Sequence, residues 1–122
     1  MSDQNCIFCR IIKKEIPSKI IKETDDLLVI EDIHPKAPIH YLIIPKKHII
    51  NISYLEEVNS NLGWQILKMA KEFSWDLSKN TKEPISFNLI SNNGTHAGQS
   101  VFHIHWHFLA GKNLYYFGGL QL

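Results

Sequence analysis

A chain of 122 residues with a 44% hydrophobic share, a 20% charged share and a formal charge of +1 has the length and composition of one globular domain with a single core. The near-neutral balance leaves no footprint for a nucleic-acid polymer, no apolar run approaches the ~20 residues of a membrane helix, and the polar start Met1-Ser2-Asp3-Gln4-Asn5 lacks the order of a secretion signal. The expectation is a cytoplasmic protein with no membrane partner, in which Cys6-Ile7-Phe8-Cys9 is a metal-ligand or redox pair rather than a structural disulfide.

Ile7 to Ile16 reads as a short helix with Ile7, Phe8, Ile11 and Ile12 on its apolar side, stopped at Pro17. Strand-like runs follow at Ile20 to Glu23, Leu27 to Asp32 and Tyr41 to Ile44, with Thr24-Asp25-Asp26 as a turn. Between the last two, His34-Pro35-Lys36-Ala37-Pro38 holds an extended loop, because two prolines break any ladder. Ser53 to Leu77 carries Leu55, Val58, Leu62, Ile66, Met69, Phe73 and Leu77 at steps of three and four, which predicts one long helix opened by a Ser53/Glu56 capping box. Ile85 to Ser91 and Val101 to Ala110 complete the set as strands, joined by the Gly- and Asn-rich Asn92 to Gly98 segment, whose amides suit a tight turn or phosphate oxygens. This order predicts an α+β fold with an antiparallel sheet and one domain over 1–122.

On the last strand, His103, His105 and His107 share one face while Phe102, Ile104, Trp106 and Phe108 share the other. Neighbours on a strand face sit roughly 6.5 to 7 Å apart, so two imidazoles can converge on one ion while all three need a bend. Two readings stay open at this point: a metal site, or a row in which one neutral imidazole attacks while its neighbours stabilise charge. At phosphorus, such a nucleophile needs donors for the non-bridging oxygens, which Ser100, His107 and the loop amides can supply.

His103-Ile104-His105-Trp106-His107-Phe108 after Gly98-Gln99-Ser100 resembles the signature of the histidine-triad (HIT) family. The likeness continues through Cys6 to Pro17, Asp32-Ile33, Pro35 to His40 and Ile44-Pro45-Lys46-Lys47-His48-Ile49. The resemblance to small nucleoside phosphoramidases implies release of AMP from phosphorus–nitrogen bonds, with a purine nucleoside monophosphate or its phosphoramidate as ligand. It implies that His105 is the nucleophile, transiently nucleotidylated, with His107 and Ser100 contacting phosphate and leaving group. Asn92, Gly98, Gln99 and Val101 would complete the phosphate pocket, Asp32 would take the ribose hydroxyls, and Phe8, Ile11, Ile30 and Ile33 would form the base slot. Each has a plainer competitor: Asp32 as the cap of the proline turn, Ile11 and Ile33 as core, Asn92 as a turn residue.

The resemblance also implies one structural zinc per chain on Cys6, Cys9, His48 and His103, with no metal needed for the chemical step. It further implies a five-stranded sheet with two helices, paired into a ten-stranded sheet in a homodimer whose axis lies near the long helix and the strand beginning at Phe87. The likeness fails after Gly111, and residues 112–122 read as a tail near the active site or the dimer interface. Rival readings are a dinucleoside polyphosphate hydrolase of the same family, a nucleotide-binding regulator with negligible turnover, and a metal-dependent hydrolase.

Overall fold

The computed structural model describes residues 5–80 and 82–111, so the expectation for the 112–122 tail lies outside the described residues. A six-residue helix, α1 (Ile7–Ile12), precedes three strands, β1 (Ile20–Glu23), β2 (Leu27–Glu31) and β3 (Ile39–Pro45). After two 3-10 turns comes the long helix α2 (Ser60–Asp76), then β4 (Phe87–Ile90) and β5 (Trp106–Ala110). The strands form one antiparallel sheet, as the sequence pattern predicts, and their order is β1-β2-β3-β5-β4. No helix among the described residues is long and apolar enough to cross a membrane.

Alternation along the strands divides the sheet into two faces. Leu27, Val29, Ile43, Phe108 and Ala110 point toward α2 and close a core with Ile66, Met69, Ala70 and Phe73. Leu28, Ile30, Leu42 and Ile44 point the other way, against Cys6, Phe8, Cys9 and Ile11 around α1. One face therefore carries the bulk of the hydrophobic stabilisation, and the second is left for a thinner layer that holds polar groups.

Three element boundaries depart furthest from the sequence reading, each for a local reason, while β2 ends one residue earlier, β3 is longer at both ends and β4 shorter at both ends than expected. The first helix stops at Ile12, well before Pro17, because Lys14 adopts a left-handed conformation (φ 64°) and closes a Schellman end: its N–H donates to Ile11 and that of Glu15 to Arg10. Ile7, assigned to the apolar side, is 47% exposed. The long helix starts at Ser60 rather than Ser53. Asn51 caps the Ser53 amide, and the capping box forms between Glu56 and Asn59, so side chains engage the backbone of 51–59 before a helix can. Val58, counted in the apolar stripe, is 79% exposed.

The last strand begins at Trp106 instead of Val101. In the β3–β5 register Ile43 faces Trp106, so the next turn of the ladder would bring Pro45 into play, and proline has no N–H to donate. Residues 103–105 leave the ladder there and lean on the segment after β3, with the Ile104 N–H donating to the Ile49 carbonyl at 2.6 Å. Ile104 and Phe108 are buried as expected, but Phe102 is partly exposed.

Candidate active site and metal centre

The three histidines are not a wet polar face: His103, His105 and His107 are 0%, 8% and 4% exposed. Each ring nitrogen that is cut off from water therefore needs a specific partner. The His105 Nδ1–H donates to the His103 carbonyl at 2.7 Å, which leaves the Nε2 lone pair free. Phe8 packs edge-on against His105 with centroids 5.0 Å apart and against His103 at 6.0 Å.

His107 is fixed by a residue to which sequence reasoning gave no role. His40 on β3 and His107 on β5 share the α1 face, one step apart on the diagonal, because His40 pairs with Leu109 and Leu42 with His107. The Lys36 backbone N–H donates to His40 Nδ1 at 3.0 Å, so the neutral ring carries its proton on Nε2. That Nε2–H lies 2.8 Å from His107 Nδ1 and 3.4 Å from Asp32 Oδ2. His107 Nδ1 is thereby an acceptor, and its own proton sits on Nε2. The only signal available in the sequence was the period-two face His40, Leu42, Ile44, which acquires meaning once the β3–β5 register is known.

Burial holds the site uncharged. It pushes His105 below the ordinary histidine range, against the opposing pull of the His103 carbonyl and of Asp32. Burial, then the neighbouring His105 and His40 rings, lower His107 to about 3. Burial likewise lowers His40, partly countered by Asp32. The result is a free lone pair on His105 Nε2 beside a free N–H on His107 Nε2, in rings whose centroids are 5.2 Å apart.

Asp32, His40 and His107 also cluster closely enough to suggest a metal site, but their hydrogen bonds argue against one. A ligating His40 Nε2 would need its proton on Nδ1, where it would collide with the Lys36 N–H.

The second cluster has the opposite character. Cys6, Cys9, His48 and His103 bring four ligand atoms within 4.8 Å of one another. His103 Nδ1 is 3.3 Å from Cys6 Sγ, 3.4 Å from Cys9 Sγ and 3.2 Å from His48 Nδ1, and Cys9 Sγ is 3.2 Å from His48 Nδ1. Ligands of a tetrahedral ion with bonds of about 2.0 to 2.3 Å lie about 3.3 to 3.8 Å apart, so the donor set fits zinc in kind and spacing. His103 Nε2–H donates to the Pro45 carbonyl at 2.7 Å, which turns the Nδ1 lone pair toward the cluster.

The remaining predicted residues divide. Phe8, Ile11 and Ile30 meet in one buried cluster, whereas Ile33 is 82% exposed. Asp32 Oδ1 accepts the His34 N–H at 2.8 Å, so the carboxylate does cap the proline turn, with lone pairs to spare. The Ser100 and Val101 N–H groups take no partner among the described residues, beside the left-handed Gly98 (φ 89°). Asn92 donates to the Ala97 carbonyl at 2.8 Å while its buried Oδ1 is unpartnered among the described residues. The Gln99 side chain does not face this loop's open amides at all but is buried and bonded internally.

A five-stranded antiparallel sheet with its long helix on one face and a buried histidine row on the other defines a histidine-triad α+β protein. Comparison with known sequences agrees: the HIT domain model matches residues 13–114, and an uncharacterized HIT-like protein from Synechocystis is 39% identical over 109 residues, 89% of this chain and 92% of that one. A HIT family hydrolase from Clostridium thermocellum superposes with a TM-score of 0.82 at 44% identity, covering 91% of this chain and 94% of its own. A zinc-bound histidine triad family protein from Mycobacterium smegmatis gives 0.79 at 25% identity, covering 99% and 85%. The chain belongs to the HIT domain family and is hydrolase-like within it.

Proposed function

We propose that the protein, one HIT domain over 1–122, hydrolyses purine nucleoside phosphoramidates through a nucleotidyl intermediate on His105. The observation that carries this reading is the pair of ring protons described above: His105 keeps its proton on Nδ1, against the His103 carbonyl, and so offers Nε2 as a nucleophile. The lone pair attacks the α-phosphorus, and the phosphorus–nitrogen bond breaks with its electron pair left on nitrogen. The departing amine takes a proton delivered from solvent through the Ser100 hydroxyl. Water then attacks phosphorus and gives up a proton to solvent, the bond to Nε2 returns its pair to the ring, and AMP leaves.

His107 serves here as a neutral hydrogen-bond donor. His40 occupies its Nδ1, so a second proton has nowhere to settle, and the Nε2–H is offered to a non-bridging oxygen together with the Ser100 and Val101 amides. Gly98 gives this turn its left-handed backbone. Asp32 accepts the ribose hydroxyls, and the buried Phe8, Ile11 and Ile30 with the exposed Ile33 form the base slot. The unpartnered Asn92 Oδ1 is an acceptor, and an amine leaving group has N–H donors where a polyphosphate has none.

The Cys6, Cys9, His48 and His103 cluster holds one structural zinc per chain, a reading supported by its donor spacing and by the zinc-bound relative. When bound, the ion pins α1 to the 103–105 segment, and it stands outside the chemical step. The chain pairs into a homodimer through β4, an edge strand, and the exposed Trp64, Leu67 and Trp75 of α2. A monomer in sedimentation would remove that part of the reading.

The deciding experiment is AMP release from an adenosine phosphoramidate by the wild type and by His105→Ala, each checked for folding. Release by the wild type alone is the expected result. No release by folded wild type would discard the phosphoramidase reading and direct the same assay to dinucleoside polyphosphates; binding of AMP without turnover on either would identify a nucleotide-binding regulator.

A further inference from the structure

The carboxamide of Gln99 reaches three separate segments. Its Nε2 donates to the Ile50 carbonyl at 2.7 Å and to that of Val101 at 3.0 Å, and its Oε1 accepts from the Gly94 N–H at 2.8 Å and from Asn51 Nδ2 at 3.2 Å. Both protons and both lone pairs are used, so the group has no capacity left for a ligand. The backbone closes the same ring from the other side, as the Gln99 N–H donates to the Gly94 carbonyl at 3.1 Å. Asn93 adds a parallel tie by accepting the Ile52 N–H at 2.8 Å.

We infer that Gln99 is a positioning residue that fixes the Ser100 and Val101 amides as a phosphate cradle by bracing the 92–101 loop against the segment after β3. The inference rests on the proposed binding of a nucleoside phosphate at this loop. The loop crosses two glycines with positive φ, Gly94 (φ 93°, ψ 155°) and the left-handed Gly98 (φ 89°, ψ 10°), and such a path holds one shape only when tied at several points. Gln99 supplies ties at its start, at its end and to a fixed neighbour. The same 49–51 segment receives the Ile104 N–H, so the cradle and the histidine segment are braced on one support.

This role separates from general stability by what it does to different ligands. A brace behind the phosphate cradle controls affinity for AMP while leaving the base and ribose contacts of adenosine alone. The test is calorimetric titration of wild type, Gln99→Glu and Asn51→Ala with AMP and with adenosine. Gln99→Glu keeps the shape but sets an oxygen against the Ile50 and Val101 carbonyls; Asn51→Ala removes one tie of the carboxamide and keeps the other three, and it also loses the cap on the Ser53 amide.

The expected result is wild-type preference for AMP, a loss of AMP affinity of about tenfold in Gln99→Glu, the worth of one hydrogen bond to a charged acceptor, and adenosine affinity within about twofold. Asn51→Ala shifts in the same direction by less, and it carries the test if Gln99→Glu does not fold. Equal losses for both ligands, or none for either, would overturn the positioning role. Wild-type protein that binds adenosine as tightly as AMP would instead remove the phosphate cradle itself, and the inference with it.

Discussion

Replacing His40 with Leu isolates what this buried ring does to its neighbour. The side chains are similar in volume, so the core of the α1 face stays filled, but His107 Nδ1 loses the donor at 2.8 Å and the Lys36 N–H loses its acceptor at 3.0 Å. The His107 nitrogen is buried, and an unsatisfied buried acceptor costs about 1 to 3 kcal/mol, which for a chain of this size lowers the melting temperature by roughly 3 to 12 °C. The tautomer lock disappears as well, so His107 can place its proton on either nitrogen and can accept a second one at Nδ1. Its pKa rises from about 3, although burial and His105 continue to hold it below the ordinary range.

Loss of a donor aimed at a developing oxyanion costs up to about 10²- to 10³-fold in kcat when complete, and a shared tautomer gives the smaller part of that, about tenfold. Long-range ¹H–¹⁵N spectra of the imidazoles across pH 7 to 4 are the direct assay: wild-type His107 stays neutral with its proton on Nε2, and the variant shows mixed tautomers that titrate earlier. A variant whose His107 signals and kcat match wild type would refute the argument that His40 sets the state of His107.

Acid should unfold the protein through the same rings. His40 and His107 bind protons below the ordinary value in the native state, chiefly through burial, so the unfolded chain takes up more protons once pH falls below about 6.5. The contribution of His107 is complete above that pH and declines by up to about 1.4 kcal/mol per pH unit as pH falls toward about 3, and that of His40 changes in the same direction; urea unfolding at pH 7 and pH 5 measures the sum, and a flat stability over that range would contradict it. Lys14→Gly should be about 1 kcal/mol more stable than Lys14→Ala, because both lose the Glu23 ion pair and only glycine accepts φ 64° freely; equal melting temperatures would show that the left-handed turn is unstrained. Cys9→Ser should drop bound zinc below one per chain in metal analysis and lower the melting temperature. Chelation of wild type should remove about 4 kcal/mol relative to protein in zinc at a thousandfold excess over Kd, and an unshifted melting curve would sink the structural metal.

The five strands and their antiparallel order were legible because period-two runs and turn residues are local signals. The three displaced boundaries depend on contacts that periodicity does not encode: a left-handed Lys14, side-chain caps at Asn51 and Asn59, and a proline on β3 that ends the ladder of another strand. The site divides in the same way. The alternation of His103, His105 and His107 was visible, and the structure brings Cys6, Cys9, His48 and His103 together as the family resemblance implied. His40 gained a role through cross-strand register, and Gln99 reads as a phosphate contact by its place in the motif until its hydrogen bonds show it turned inward.

His103 performs two duties with chemically independent parts. Its imidazole lies in the thiol cluster, while its carbonyl orients His105. A main-chain carbonyl is present whatever side chain follows, so descent can discard one duty without the other. Loss of Cys6 and Cys9 would free the side chain of residue 103 to change, and His105 would keep its acceptor throughout. The thiol cluster can thus be altered without touching the peptide unit that orients His105.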